Sequence, residues 1–153
     1  MDADVLDLFA GTGALGIEAL SRGARRAVFV DRLAEAVDLV SRNLQSCDLE
    51  DRARVVRADG LRWLATTDDR WGLVLLDPPY PFDGWADLLV GLAGRVDGPV
   101  VVESDRQIEP GPGWHAESCR RYGSTVVTLL LPGAEAAGAA DQPTTIEREV
   151  PRP

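Results

Sequence analysis

Lysine is absent from this chain of 153 residues. All 16 basic residues are arginine, they face 25 acids, and the net charge is −9. Nucleic-acid binding rests on neutralising phosphates with Lys and Arg, so this balance argues against a chain that grips RNA or DNA unaided. Alanine, glycine and aspartate are abundant, and the all-arginine usage reads as a trace of GC-rich coding. Cysteine is scarce. Cys47 and Cys119 form neither a disulfide framework nor a metal-ligand spacing, and they read as two reduced thiols of a cytoplasmic protein. No apolar run approaches the ~18 residues of a membrane span. The opening MDADVLDLF carries acids where a secretory leader has a basic region. The expectation is a cytoplasmic monomer that engages no membrane. The only histidine, His115, could serve as a catalytic base, but it lies near the end of the chain, far from the strand ends that carry the acids, and reads as a packing or surface residue.

What is present suggests one domain. A domain of ~150 residues buries roughly two-thirds of its unfolded surface, enough for a sizeable core. The apolar pattern alternates between two periods. VLDLF (5–9), RAVFV (26–30), RVVRA (54–58), GLVLL (72–76) and GPVVVES (98–104) read as short buried strands. Between them, helical spacing marks Ala14 to Arg22, Leu33 to Cys47, Leu61 to Ala65 and Trp85 to Arg95. Strands alternating with helices predict an α/β fold with a doubly wound, mostly parallel sheet. The end differs: 114–122 and 124–131 flank Gly123 as an antiparallel hairpin, which completes a seven-stranded sheet. Residues 1–132 are expected to be the folded domain. Residues 133–153 are poor in large apolar side chains and are expected to be a disordered tail, or a short docking peptide.

Strand one runs into GTGALG, Gly11 to Gly16. The pattern G-x-G-x-x-G between a strand and a helix lets the backbone turn sharply and approach a ligand closely. Alone it is weak, because tight turns also want glycine. Its context strengthens it: Asp31 lies 20 residues after Gly11, at the end of strand two, where an acid hydrogen-bonds a ribose diol. Asp7 sits four residues before Gly11. A carboxylate there would repel a pyrophosphate but suits a ligand carrying an ammonium and a sulfonium, as S-adenosylmethionine does. The alternative for Asp7 is a strand-end acid that accepts a nearby backbone amide. Asp59 ends strand three and can reach the same crevice to meet an adenine amino group, to cap the helix that follows, or to do both.

LLDPPYPFDGW, Leu75 to Trp85, ends strand four in Asp77. Pro78 and Pro79 fix φ and remove two backbone donors, leaving a stiff loop of carbonyl acceptors beside a carboxylate. Such a site suits a planar NH2. Asp77 and the Pro78 carbonyl can each hold one N–H, which aims the nitrogen lone pair, a gain from orientation. Tyr80, with Phe82, offers a ring face for a base. The competing reading is a proline-punctuated turn over a packed aromatic. Glu103 and Ser104 end strand five near this crevice, as pocket edge or as caps. Arg22, Arg25 and Arg26 form a small basic cluster, either a solvated face or a phosphate contact. The four tryptophans read as core or pocket wall.

VLDLFAGTGALGIEALSRGA, AVFVD, RADGL and LLDPPY together resemble the class I S-adenosylmethionine-dependent methyltransferases. They are most similar to the RsmD family, which methylates guanine N2 in 16S ribosomal RNA. The likeness covers about residues 4–131, and GTGALGIEALSRGA is its most specific piece. It implies a cofactor site at Asp7, Phe9, Gly11, Gly13, Asp31 and Asp59, with Gly60 lining it. It implies a base site at Asp77, Pro78, Pro79 and Tyr80, and no metal. It also implies 16S rRNA or the assembling small ribosomal subunit as partner. Family members carry a basic RNA-binding segment and a cofactor-closing helix before strand one, whereas this sequence opens at strand one. Weakened RNA affinity and turnover are therefore expected of the chain as given. Two other readings of the residues stand: an amino-methyltransferase for DNA adenine or a protein amide, and a non-catalytic S-adenosylmethionine-binding remnant.

Overall fold

The computed structural model describes residues 2–133. The expected tail therefore lies, apart from Gly133, outside the described residues. The element order is β1 (Asp4–Leu8), α1 (Ala14–Ser21), β2 (Arg26–Asp31), α2 (Ala34–Ser46), a 3₁₀ turn (Glu50–Arg52), β3 (Ala53–Arg57), α3 (Gly60–Leu64), β4 (Leu73–Leu76), α4 (Trp85–Leu92), β5 (Val100–Ser104), β6 (Trp114–Tyr122) and β7 (Thr125–Pro132). The strands form one seven-stranded sheet in the order β3-β2-β1-β4-β5-β7-β6. The first five are parallel, while β7 runs antiparallel between β5 and β6. This is the α/β sheet and C-terminal hairpin that the sequence pattern predicts.

Alternate strand residues face opposite layers. Leu6, Leu8, Val30, Leu76 and Val102 pack with Trp63 of α3 and Leu88 and Leu92 of α4. Val5, Phe29 and Leu75 pack on the other face with Leu20 of α1 and Val40 and Leu44 of α2. The strands are therefore apolar on both sides, as parallel strands covered by helices must be. All four tryptophans are buried. The fourth helix is shorter than its apolar spacing suggests. It stops at Leu92 because Gly94 takes φ 77, a left-handed stop.

From β1 the chain winds outward through β2 and β3, then returns beside β1 as β4 and continues to β5. The winding reverses between β1 and β4, and in such sheets the ligand crevice lies outside the strand carboxyl ends at that point. Close backbone packing holds β4 and β5 in place at the opposite edge. A Cβ added at Gly98 would stand 2.0 Å from the Gly72 carbonyl oxygen, and Gly72 is itself pinned by its amide to the Asp4 carbonyl. Gly98→Ala is expected to destabilise the domain by about 1–3 kcal/mol, the range for overpacking. Thermal unfolding checks this, and an unchanged midpoint would mean that the two backbones can part freely.

Candidate active site

At the end of β1 the chain turns sharply. The amides of Phe9 and Ala10 both donate to the Val30 carbonyl at 3.0 Å. Phe9 is held at φ 69, a left-handed conformation rare for a bulky side chain and typical of strained functional loops. Gly11 follows at φ 56, and a Cβ there would meet nothing within 4 Å. Gly16 has the opposite need: a Cβ would come within 2.4 Å of the Phe29 ring, so a glycine is what lets α1 lie directly on the sheet.

Four strand ends deliver carboxylates here, in different states. Asp7 is 1% exposed, and its Oδ2 accepts the Gly16 amide at 3.0 Å. Burial pushes its carboxyl up to about 7, the charges of Asp77 and Asp31 add to the rise, and the Gly16 bond opposes it. Asp31 accepts the Gly11 amide at 3.0 Å through one oxygen and the Leu33 amide at 2.9 Å through the other. Each oxygen retains a second lone pair for a ligand. Asp59 caps α3 by accepting the Arg62 amide at 3.1 Å. Asp77 accepts no hydrogen bond among the described residues, and burial raises its carboxyl above the ordinary range.

A cleft of about 450 Å³ opens between these ends, and Phe9, Gly11, Asp31, Asp59, Gly60, Asp77 and Pro79 all line it. Leu33, Ala58 and Phe82 add apolar wall. The Phe82 ring meets Phe9 and Trp85 edge-on, with centroids 5.1 Å apart in each case. Asp7, Gly13 and Pro78 are buried and do not line the cleft. Tyr80 stands outside it, 47% exposed, with its hydroxyl 3.2 Å from Thr125 Oγ1 at the start of β7. The Arg22, Arg25 and Arg26 cluster is taken up by acids: Arg22 pairs with Glu18, and Arg25 and Arg26 pair with Asp4. Asp4 and Arg26 begin their strands, so that cluster lies at the edge opposite the cleft. His115 is the second residue of β6 and lies beside Glu117.

Two supports were invisible in the sequence pattern. Arg106, after β5, donates to the carbonyls of Phe82 at 2.8 Å and Tyr80 at 3.4 Å, and pairs with Asp105 at 2.8 Å. It ties the 78–82 loop to the next strand. Asn43 of α2 donates to the Thr12 carbonyl at 2.9 Å and steadies the glycine turn. The only signal for Asn43 was a polar residue beside the apolar stripe of α2.

A family model described as "Conserved hypothetical protein 95" matches residues 1–131. The chain belongs to this family. It is similar to the "Putative rRNA methyltransferase YlbH" of Bacillus subtilis (strain 168), with 41% identity over 68% of this chain and 60% of that protein. It is similar to the "Ribosomal RNA small subunit methyltransferase D" of Escherichia coli (strain K12), with 38% identity over 52% of this chain and 40% of that protein. The chain thus spans about half the length of these relatives. Among solved structures, "Putative methyltransferase yhhF from Escherichia coli" superposes with a TM-score of 0.79 at 28% identity, over 88% of this chain and 78% of that one. The Conserved hypothetical protein 95 fold seen here is the seven-stranded fold of the class I methyltransferases.

Proposed function

We propose that this chain is the catalytic unit of an S-adenosylmethionine-dependent methyltransferase acting on the exocyclic N2 of a guanine in 16S rRNA, within the RNA or the assembling small subunit. The observation that carries this reading is one of placement. An adenosine-type cleft and the Asp77–Pro78–Pro79–Tyr80 segment share one sheet edge, on adjacent strands at the β1/β4 reversal.

The residues present fit the cofactor. Gly11 leaves open space where a side chain would stand in the cleft. Asp31 has lone pairs to spare for a ribose diol, Asp59 keeps Oδ2 for an adenine amino group, and Phe9 and Leu33 supply apolar wall. The acids favour a cationic ligand over a pyrophosphate. When bound, S-adenosylmethionine supplies an electrophilic methyl group on a sulfonium. The chain's own part is to hold the nucleophile. Asp77 and the Pro78 carbonyl accept the two N–H groups of the target amine and fix its lone pair toward the cleft. Asp77, unpaired and raised by burial, is suited to take the proton that the methylated nitrogen must lose. Tyr80 and Phe82 provide ring faces beside that point.

The direct test is calorimetric titration of the chain with S-adenosylhomocysteine, followed by methyl transfer to small-subunit RNA. Asp31→Ala removes the acceptor for both the Gly11 and Leu33 amides, so its affinity is expected to fall about 10- to 100-fold. A folded chain that binds neither S-adenosylmethionine nor its demethylated product would overturn the reading.

A further inference from the structure

The cleft lies over the carboxyl ends of β1, β2 and β3 and is walled on its β4 side by Asp77, Pro79, Pro81 and Phe82. The substrate base must then come from the other side of Asp77, over the end of β5. β4 and β5 pair in parallel register with Leu75 opposite Val101 and Leu76 opposite Val102. Continuing that register one residue past the end of β4 brings Asp77 beside Glu103, and the Asp77 charge acts on the Glu103 carboxyl. Register partners on neighbouring parallel strands project to the same face, at a spacing of ~4.8 Å. Leu75 and Val101, two residues earlier on each strand, both pack in the α1/α2 layer. Asp77 and Glu103 therefore stand side by side on that face, at the edge where the base enters. Glu103 is half-buried, and among the described residues it has neither a hydrogen bond nor an ion pair. Its neighbour Ser104 is engaged with the Arg106 carbonyl. Burial first, and then the charge of Asp77, hold the Glu103 carboxyl above its ordinary range, as expected for two acids sharing one small space.

Two adjacent acceptors ask for a substrate with two adjacent donors. Guanine has them: the N2 amino group and the ring N1–H beside it. Adenine and cytosine flank their amino groups with ring nitrogens that carry lone pairs, and a side-chain amide flanks its own with a carbonyl oxygen and a carbon. A carboxylate next to the amine site attracts the first and repels the others. We propose that Glu103 is a specificity-determining residue that accepts the N1–H of the target guanine while Asp77 and the Pro78 carbonyl hold N2. This inference rests on the proposed methyl transfer and deepens it, by naming the group that selects guanine over other amines. It also gives Glu103 a function where the sequence offered only a pocket edge or a cap.

The test uses single-stranded RNA oligomers that carry guanine, 2-aminopurine or adenine at one position, with labelled methyl groups counted. 2-Aminopurine keeps the N2 amine but presents a lone pair at N1 and lacks O6, so the contact in question is read from how Glu103→Gln changes the guanine to 2-aminopurine ratio. The unaltered chain is expected to favour guanine over 2-aminopurine by about 100-fold or more, the size of discrimination a site built to bond a substrate N–H can impose. Glu103→Gln keeps the shape and can donate to a bare N1. Its kcat/KM on guanine is expected to fall about 10- to 100-fold, and its guanine to 2-aminopurine ratio to shrink to about tenfold or less. A folding defect would lower both rates together and leave the ratio unchanged, and S-adenosylhomocysteine binding reports that the cofactor cleft is intact. Guanine methylation with the same base ratio in Glu103→Gln would overturn this inference while leaving the proposed function standing. Transfer to none of the three bases by the unaltered chain would sink both.

Discussion

Asp77→Ala is expected to cut methyl transfer by about 100- to 10,000-fold while S-adenosylhomocysteine still binds within a few-fold of the unaltered chain. The magnitude combines the loss of a positioned acceptor with the loss of the group that takes the proton, each of which is worth about two orders of magnitude or more. The separation of the two readouts follows from geometry. Asp77 makes no hydrogen bond among the described residues, so its removal leaves no orphaned donor in the fold. The residues proposed to hold the cofactor sit elsewhere, on the loop after β1 and on Asp31. Asp77 is also solvent-exposed at the cleft rim, so Asp77→Ala should leave the unfolding midpoint nearly unchanged at neutral pH. Asp77→Asn keeps an acceptor but not the charge, and its rate should fall between the two. Parallel loss of cofactor affinity and rate would instead make Asp77 a cofactor ligand, since it does line the cleft. Survival of the rate would remove the proposed mechanism.

The parts of the site that the sequence made legible are those that depend on topology alone. In a parallel sheet every strand ends at the same edge, so recognising strands that finish at Asp31, Asp59 and Asp77 is enough to bring three acids together. Gly11 is legible for the same reason, because a strand-to-helix turn at that edge must reverse in very few residues. Asp7 shows where this reasoning stops. Its position was readable, but the sequence left open whether it meets a ligand or a backbone amide. In the structure its carboxylate is turned to the Gly16 amide behind the loop. Tyr80 is similar: the DPPY spacing places it beside Asp77, yet its hydroxyl lies near Thr125 at the rim, and Phe82 and Phe9 are the aromatic residues that line the cleft. Arg106 was not legible. Its contacts reach back 24 and 26 residues to two main-chain carbonyls, and nothing in local periodicity encodes such a reach. The early end of α4 has a simpler cause: Gly94 breaks a helix whose apolar spacing runs on past it.

Asp7 is where stability and ligand chemistry oppose one another, and Asp7→Asn is expected to make that visible. The carboxyl is almost wholly inaccessible and is pushed up to about 7 from an ordinary 3.8, by burial first and then by the charges of Asp77 and Asp31. A folded-state value above the unfolded one means that the folded chain holds the proton more tightly. Stability is therefore unaffected by this group below about pH 4, declines as pH rises from there to about 7, and stays low above it. A rise of about three units corresponds to roughly 4 kcal/mol in full, and roughly half of that lies between pH 5.5 and 8. Asparagine at this position has no charge to bury, and its Oδ1 can still accept the Gly16 amide. Asp7→Asn should thus outlast the parent in urea at pH 8, by an amount that shrinks by roughly 2 kcal/mol at pH 5.5. If the gap were the same at both values, Asp7 would not be titrating in this range. A natural chain that keeps the less stable aspartate needs a reason, and a cationic ligand supplies one. An ammonium or sulfonium in the adjoining cleft favours the ionised form, so its binding draws the proton off Asp7. Affinity for S-adenosylmethionine should then strengthen as pH rises from 5.5 to 7.5 in the parent chain, whereas Asp7→Asn should bind more weakly and with little dependence on pH. Titrations of both proteins at the two ends of that range measure this coupling, and equal pH dependence in the two would detach Asp7 from the cofactor altogether.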